Sequence, residues 1–537
     1  MVCRGVMLLQ CSARRAQGSC RRYFSTSMKQ WVGAIDQGTS SSRFIVFDDK
    51  GEVVASAQRE FDTAAPHSGW AQQDPDEAIW RSVVDCIDDV SDQIDLTQLQ
   101  CVGITNQRET TVIWDKHTGQ PLHDALVWLD SRTAQVCEEL AAANGGVDCW
   151  RDICGLPIST YFSLPKLLYL RENCEKVAAA LDSDNAAFGT VESWLLHRLT
   201  KGEVHATDVT NASRTMLLDL NTMSWNESLL EKVGLPKSML PRLVSNAEVV
   251  GRVVAEDSSR GLKALAGVPI SGLIGDQQAA LVGQGCLSQG ECKNTYGTGC
   301  FLLLNTGTKK VESTHGLLST VGFQLGRNEK PHFALEGSVA VAGAGVKFLR
   351  DNLGIISKAS EVGELGSQVA SSGGVVFVPA LSGLLCPHWR SDARGTILGL
   401  SFSTDRRHIC RAVVEAAAFQ TTEVLEAMQK DAGIEIHELR VDGGMSNADL
   451  LCQEQATLAQ CKVTRPHSPE ATALGAAICA AIGSGRPLAN LHHARENASN
   501  FLPSDESADK THRRKQAWSE AVRRSFDWAR FCEEDTE

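Results

Sequence analysis

Four stretches of this sequence carry side chains of the types that act on phosphate and hydroxyl groups. In WVGAIDQGTSSSRFIVF, residues 31–47, one apolar run ends at Asp36 and another begins at Phe44, with Gly38 and the hydroxyls of Thr39, Ser40, Ser41 and Ser42 between them. A turn of this kind offers backbone N–H groups and hydroxyls to phosphate oxygens. Asp36 would face those phosphates and could hold Mg²⁺ directly or through water, because hard cations prefer oxygen ligands. Arg43 adds positive charge nearby. A lone DxGT is also what an ordinary polar hairpin tip looks like, so the rest of the chain must decide. In NQRETT, Arg108 and Glu109 stand side by side just past the apolar run CVGIT. Adjacent Arg and Glu are usually a surface ion pair, but the carboxyl end of a parallel strand is where ligands of open α/β sheets gather. In VPISGLIGDQQAALVGQG, Asp276 and Gln277 follow a strand that stops at Gly275 and open an Ala-rich run, which suits either a helix N-cap or a working carboxylate. KNTYGTGCFLLLNTG repeats the opening design, with Thr298 between Gly297 and Gly299; alone, that triplet would pass as a plain turn.

The elements that must hold these groups are legible around them. Runs of Val, Ile and Phe flanking Gly38 predict a β-hairpin, and the echo near residue 297 predicts a second one and suggests an ancient duplication. SGWAQQDPDEAIWRSVVDCIDDV predicts an amphipathic helix with Asp74 as N-cap, Pro75 at the first helical position and Ile79, Val83 and Ile87 on its apolar face. FGTVESWLLHRLT reads as a strand entering a helix. EGSVAVAGAGVKFLRDNLG runs from small residues into a helix, and the strand LRV delivers the glycines of DGGMSNADL. The small residues of SPEATALGAAICAAIG suit a closely packed helix, whereas HATDVTNASRTMLLDL offers hydroxyls with no evident role beyond loop and cap bonding.

A chain of 537 residues is too long for one core, and domain sizes of ~100–200 residues predict two large domains with a cleft between them. The net charge of −13 argues against nucleic acid or an anionic membrane as the main partner. The 18 cysteines form no CxxC pair and no Cys/His cluster at zinc spacing, which suits a reducing compartment. No stretch supplies the ~20 apolar residues of a membrane-spanning helix.

Taken together, DQGTSSSR, GWAQQDP, NQRETT, VWLDSRT and TYFS resemble the glycerol-phosphorylating members of the FGGY carbohydrate kinase family, in family order and at family-like spacing over roughly residues 31–490. The resemblance implies an α/β fold of two actin-like ATPase (ribonuclease H-like) domains with a catalytic cleft between them. It assigns residues 31–285 to an N-terminal domain for glycerol and phosphate, 286–505 to a C-terminal domain for nucleotide, and 506–537 to a helical tail. It also implies ATP and Mg²⁺ as cofactors, glycerol as substrate, and a homodimer or homotetramer. By resemblance Arg108 and Glu109 bind the glycerol hydroxyls, which suits a guanidinium that donates and a carboxylate that accepts. Trp128, Tyr161 and Phe301 line the same pocket, Lys166 lies in the first family signature YFSLPKLLYL, Asp276 is the general base, and Gln277 contacts substrate. Asp36 and Asp276 hold the metal. Thr39, Ser40, Ser41, Arg43 and Thr298 meet the nucleotide phosphates, and Gly343 and Gly444 let nucleotide approach the backbone. Two departures stand out. Lys347 replaces a nucleotide-contacting Gln, and the usual adenine-side Asn aligns with Ala448 while Asn447 lies one place earlier.

Residues 1–35 contain no Asp or Glu but six Arg and Lys, the composition of a mitochondrial presequence, and residues 1–30 are read as a targeting segment. Met28 offers an alternative start that would give a cytosolic form. At the other end, HRRKQAWSEAVRRSFDWARF predicts a charged amphipathic helix.

Overall fold

The computed structural model describes residues 31–256, 258–467, 470–486 and 498–531. The targeting segment read into residues 1–30 lies outside them.

The opening stretch forms the expected hairpin of β1 (Trp31–Gln37) and β2 (Ser41–Phe47), and β3 (Val53–Glu60) extends it. Asp74 then caps a helical turn, its Oδ1 accepting the N–H groups of Asp76 (2.8 Å) and Glu77 (2.9 Å). That first turn, Pro75–Trp80, is a π-turn rather than the plain α-turn expected, because the Asp74 carbonyl takes the N–H of both Ala78 (3.0 Å) and Ile79 (3.2 Å). Regular helix α1 (Arg81–Ser91) follows, with Val83 and Ile87 buried as the periodicity requires. Then come β4 (Leu99–Asn106), a long insertion, β5 (Ala247–Arg252), β6 (Pro269–Gly275) and helix α2 (Asp276–Gly283). These strands form one sheet in the order β5-β6-β4-β1-β2-β3, in which β1, β4 and β6 run parallel and β1-β2-β3 antiparallel.

The second half repeats the design. Strands β7 (Cys292–Tyr296), β8 (Cys300–Gly307), β9 (Leu318–Phe323) and β10 (His332–Val339) lead through α3 (Gly343–Lys347) and the 27-residue α4 (Arg406–Ala432) to β11 (Glu438–Asp442), α5 (Asp449–Ala459) and β12 (Lys462–Arg465). Helix α6 (Ala471–Gly483), strand β13 (Ser499–Phe501) and helix α7 (Ala508–Arg524) complete it. The sheet order is β9-β10-β8-β7-β11-β12-β13. Removing β9 leaves a sheet that matches the first strand for strand and direction for direction. This is the two-domain α/β architecture expected of an actin-like ATPase.

The halves are joined by their equivalent helices, α2 after β6 and α6 after β12, which cross in close contact between the two sheets. A Cβ on Gly475 of α6 would lie 1.9 Å from the carbonyl oxygen of Ala279 on α2, and one on Gly283 would lie 1.9 Å from that of Ala471. Only hydrogen fits at either crossing, which gives the small-residue run of α6 its physical reason. Its apolar faces fill a shared core with Val32, Ala34, Ile45 and Ile274. At the far side, α7 packs as the predicted amphipathic helix, with Trp518 stacked on Phe419 of α4 (5.2 Å, 8°).

Candidate active site

The cleft opens where the parallel strands of both sheets end. Asp36 sits one residue before the end of β1 and pairs across the hairpin with Arg43. Alternation along β2 decides which turn hydroxyls are available. Ser41 and Arg43 face a cavity of about 610 Å³ that Asp36 and Asp276 also line. Ser42 points the other way, buried against Ser82 Oγ (2.8 Å), so it leaves the set of phosphate-facing hydroxyls that the sequence had suggested. Ser40 stands exposed at the tip. Thr39 Oγ1 accepts the indole N–H of Trp128 (2.9 Å), tying this turn to an aromatic pocket.

That pocket is built by the insertion after β4. Trp128 meets Tyr161 edge to face (5.4 Å between centroids) and Phe301 of β8 likewise (6.1 Å). Lys166 is buried beneath it, its Nζ donating to the carbonyls of Thr160 (2.6 Å), Tyr161 (2.9 Å) and Phe162 (3.2 Å), which fixes the loop that carries the Tyr161 ring. Burial brings the Lys166 ammonium down to about 8.

Arg108 and Glu109, both almost fully buried, lie within electrostatic reach of the Tyr161 hydroxyl. Glu109 has φ of 61°, a left-handed backbone rarely adopted by a residue other than glycine and of the kind that concentrates at functional sites. The pair is one half of a larger network that the sequence did not reveal. Arg214 Nε donates to Glu109 Oε1 (2.6 Å), and Glu336 of β10 receives Arg108 in a fork (Nη1–Oε2 2.6 Å, Nη2–Oε1 2.9 Å) together with Arg214 Nη2 (3.2 Å). Burial pushes the Glu109 carboxyl up against the pull of Arg214 and Arg108. Burial would push Glu336 up as well, but the Arg108 and Arg214 guanidiniums hold it at about 2. The available signal for Glu336 was a single carboxylate inside the apolar run of FALEGSVAVAG; Arg214 lay among hydroxyls that had no assigned role.

Asp276 is the first residue of α2, and the helix is capped by Gly275 rather than by Asp276 itself. Its Oδ1 accepts the backbone N–H of Gln277 (2.7 Å) and lies 3.2 Å from Arg108 Nε, its Oδ2 takes the side-chain amide of Gln277 (3.2 Å), and the carboxylate reaches the 610 Å³ cavity. Gln277 is itself almost buried, its Oε1 taking the ammonium of Lys293 (2.6 Å) while its Nε2 donates to Asp276. Lys293 also donates to Thr295 (3.0 Å).

A second cavity of about 710 Å³ adjoins the first, sharing Gly444 and Asn447. Thr298, Gly343, Lys347 and Ala448 line it. Gly343 closes against the second hairpin, where a Cβ would lie 2.6 Å from the Gly297 carbonyl. Lys347 is exposed at the rim. Asn447 and Ala448 both reach this wall, Asn447 from the edge common to both cavities. The two cavities have the size of ligand sites.

Residues 31–283 match the FGGY family of carbohydrate kinases, N-terminal domain, and residues 292–484 match the C-terminal domain of that family. The chain belongs to the FGGY family of carbohydrate kinases. Among the relatives of this FGGY kinase are glycerol kinases of Leifsonia xyli subsp. xyli, 48% identical over 93% of this chain and 98% of that one, and of Brucella anthropi, 46% identical over 93% and 100%. A crystal structure of Plasmodium falciparum glycerol kinase with ADP superposes with a TM-score of 0.86 at 37% identity, covering 93% of this chain and 98% of that chain. A xylulose kinase of Lactobacillus acidophilus shares the fold at 20% identity and a TM-score of 0.80, covering 91% of this chain and 97% of that one.

Proposed function

We infer that this FGGY kinase transfers the γ-phosphoryl group of ATP to a terminal hydroxyl of glycerol, giving glycerol 3-phosphate and ADP. The observation that carries this reading is the cluster of Trp128, Tyr161 and Phe301 rings near the buried Arg108–Glu109 pair, with Arg108 reaching Asp276 on the wall of the 610 Å³ cavity. Names of relatives along nearly the whole chain support it.

In this reading Arg108 donates to one glycerol oxygen while Glu109 accepts from a hydroxyl, and Trp128, Tyr161 and Phe301 cover the carbon chain and keep water out. Asp276, steadied by Arg108 Nε and Gln277, accepts the proton of the attacking hydroxyl. Ser41 and Arg43 from the first hairpin and Thr298 from the second hold the phosphates, with the hydroxyl of Thr39 and the exposed Ser40 at the same turn. Gly343, Gly444, Asn447 and Ala448 flank the nucleotide, and Lys347 stands at the rim. Phosphoryl transfer needs positioning and charge neutralisation more than covalent help, and these residues supply the positioning.

The donor set also fits Mg²⁺. Burial pushes the Asp36 carboxyl up to about 7 despite Arg43, and Asp276 and Glu470 raise it further, so a divalent cation between the two carboxylates facing this cavity would favour the charged form of Asp36. Asp36 and Asp276 would hold the ion, which when bound neutralises phosphate charge. A coupled assay with ATP and a panel of polyols tests the reading. Glycerol should be preferred over pentuloses and longer polyols; equal turnover of a pentulose would overturn it.

From composition alone we further propose that residues 1–30 address the chain to mitochondria. A reporter fused to them should be imported and shortened; a cytosolic, full-length reporter would rule this out.

A further inference from the structure

The polyol pocket of the proposed function is made by the N-terminal half of the chain except at two places. One is Phe301. The other is Glu336, which reaches from the central part of β10 in the C-terminal sheet to close the charge network under Arg108. We propose that Glu336 is a positioning residue for polyol binding, through which the C-terminal half orients the guanidiniums that read the substrate's hydroxyls. This rests on the reading of Arg108 and Glu109 as the hydroxyl-binding pair.

Geometry carries the argument. A guanidinium has five N–H donors in a rigid plane, so fixing one edge fixes where the others point. Glu336 takes both terminal nitrogens of Arg108 in a fork, at 2.6 and 2.9 Å, and Gln278 Oε1 shares Nη1 at 3.2 Å. With that edge clamped, Nε is turned toward Asp276 Oδ1 at 3.2 Å and stands 4.0 Å from Glu109 Oε1. The same Glu336 oxygen that takes Arg108 Nη2 also takes Arg214 Nη2 at 3.2 Å, and Arg214 holds Glu109 at 2.6 Å. One carboxylate thereby sets the orientation of both members of the hydroxyl-reading pair, Arg108 directly and Glu109 through Arg214.

The two guanidiniums face Glu109 and Glu336, with Asp276 as a third carboxylate at Arg108, yet one donor lacks an acceptor. Arg214 Nη1 is buried without a hydrogen-bond partner, and the Arg214 guanidinium lies 5.7 Å from the Tyr161 ring centroid at the pocket wall. A buried N–H left unpaired is costly, and a neutral, oxygen-rich guest would relieve it. A polyol hydroxyl has that chemistry.

The test compares Glu336→Gln with the charge-neutral double variant Arg214→Gln/Glu336→Gln, on the full chain with ATP, Mg²⁺ and glycerol. Glu336→Gln keeps the shape but loses the charged fork, and the double variant keeps the buried charges balanced should the single variant fold poorly. Whichever variant folds should show a glycerol KM raised about 10–100-fold, with a smaller loss in kcat and the KM for ATP changed less than about twofold. Titration calorimetry should show glycerol affinity falling in parallel. A variant whose melting temperature drops while its glycerol KM stays at the wild-type value would overturn the proposal and leave Glu336 a structural ion pair. Equal rises in the KM for ATP and glycerol would also overturn it, pointing to a general distortion of the cleft. A wild-type chain that does not phosphorylate glycerol would instead refute the functional reading itself, which keeps the two failures apart.

Discussion

The two halves of this chain build the same sheet and give it different work. Asp36 of the first hairpin and Thr295 of the second occupy the same place, each one residue before the end of the first strand and each beside the neighbouring parallel strand, at Thr105 and Asp442 respectively. Across the hairpin, however, Asp36 faces Arg43 while Thr295 faces Phe301. The first hairpin turns through Gly38, Thr39, Ser40 and Ser41, the second more tightly through Gly297, Thr298 and Gly299, where the Gly297 N–H bonds the Gly299 carbonyl (2.9 Å). One hairpin presents charge and hydroxyls; the other presents backbone and an aromatic ring. The insertion after β4 then gives the N-terminal half the rings of the proposed polyol site, whereas the helices between β10 and β11 give the C-terminal half the wall of the second cavity. A duplicated scaffold thus supplies position, and the few residues at strand ends decide chemistry.

Equivalent positions allow that contrast to be broken directly. Asp36→Asn removes a proposed metal ligand and should lower kcat by about 10²–10³-fold at fixed Mg²⁺, while Thr295→Val, at the matching position, should cost less than about tenfold. Similar losses at both positions in steady-state kinetics would mean that the halves share the chemistry.

A smaller effect separates substrate from nucleotide. Arg108→Ala strips Glu336 and Asp276 of their shared partner and should raise the glycerol KM by about 10–100-fold, leaving the KM for ATP nearly unchanged. Lys347→Ala, at the rim of the second cavity, should do the reverse and only by a few-fold. A glycerol effect from Lys347 would contradict the division.

The helix pair that joins the halves should respond in stability rather than rate. Gly475→Ala forces a methyl against the Ala279 backbone and should cost about 1–3 kcal/mol in chemical denaturation. An unchanged transition would show that the crossing has room to spare.

The smallest effect is on pH. With its carboxyl raised to about 7, Asp36 must lose a proton before it can bind a cation, so apparent Mg²⁺ affinity should fall as pH drops below about 7, and Asp36→Asn should flatten the dependence. The sign for stability runs the other way. The folded metal-free protein holds this proton where the unfolded chain, near 3.8, does not, so its stability should decline as pH rises from about 4 to about 7.

How much of this was legible in the sequence follows from what sequence patterns report. The hairpins, the strand before Arg108 and the junction at Gly275 were readable because period-two burial and glycine turns are local signals. Asp276 was readable as a strand-end carboxylate, but not its place inside the first turn of α2, since that depends on Gly275 taking the cap position. Ser42 was misjudged because a run of hydroxyls does not say which face of a strand each will take. Glu336 and Arg214 could not be read at all: their partners lie 228 and 105 positions away, and periodicity records burial, not pairing. Nothing in KNTYGTG announced that Lys293 would turn inward and donate to Gln277.

In the proposed reaction the N-terminal half carries the proton-accepting carboxylate at Asp276. Asp276→Asn preserves shape while removing the base, so single-turnover and steady-state measurements on the folded variant should give a rate lower by about 10²–10⁴-fold. Glycerol affinity by titration calorimetry should change far less. Near-normal turnover in this variant would remove Asp276 from the mechanism, and a loss of glycerol affinity as large as the loss of rate would make it a binding residue instead.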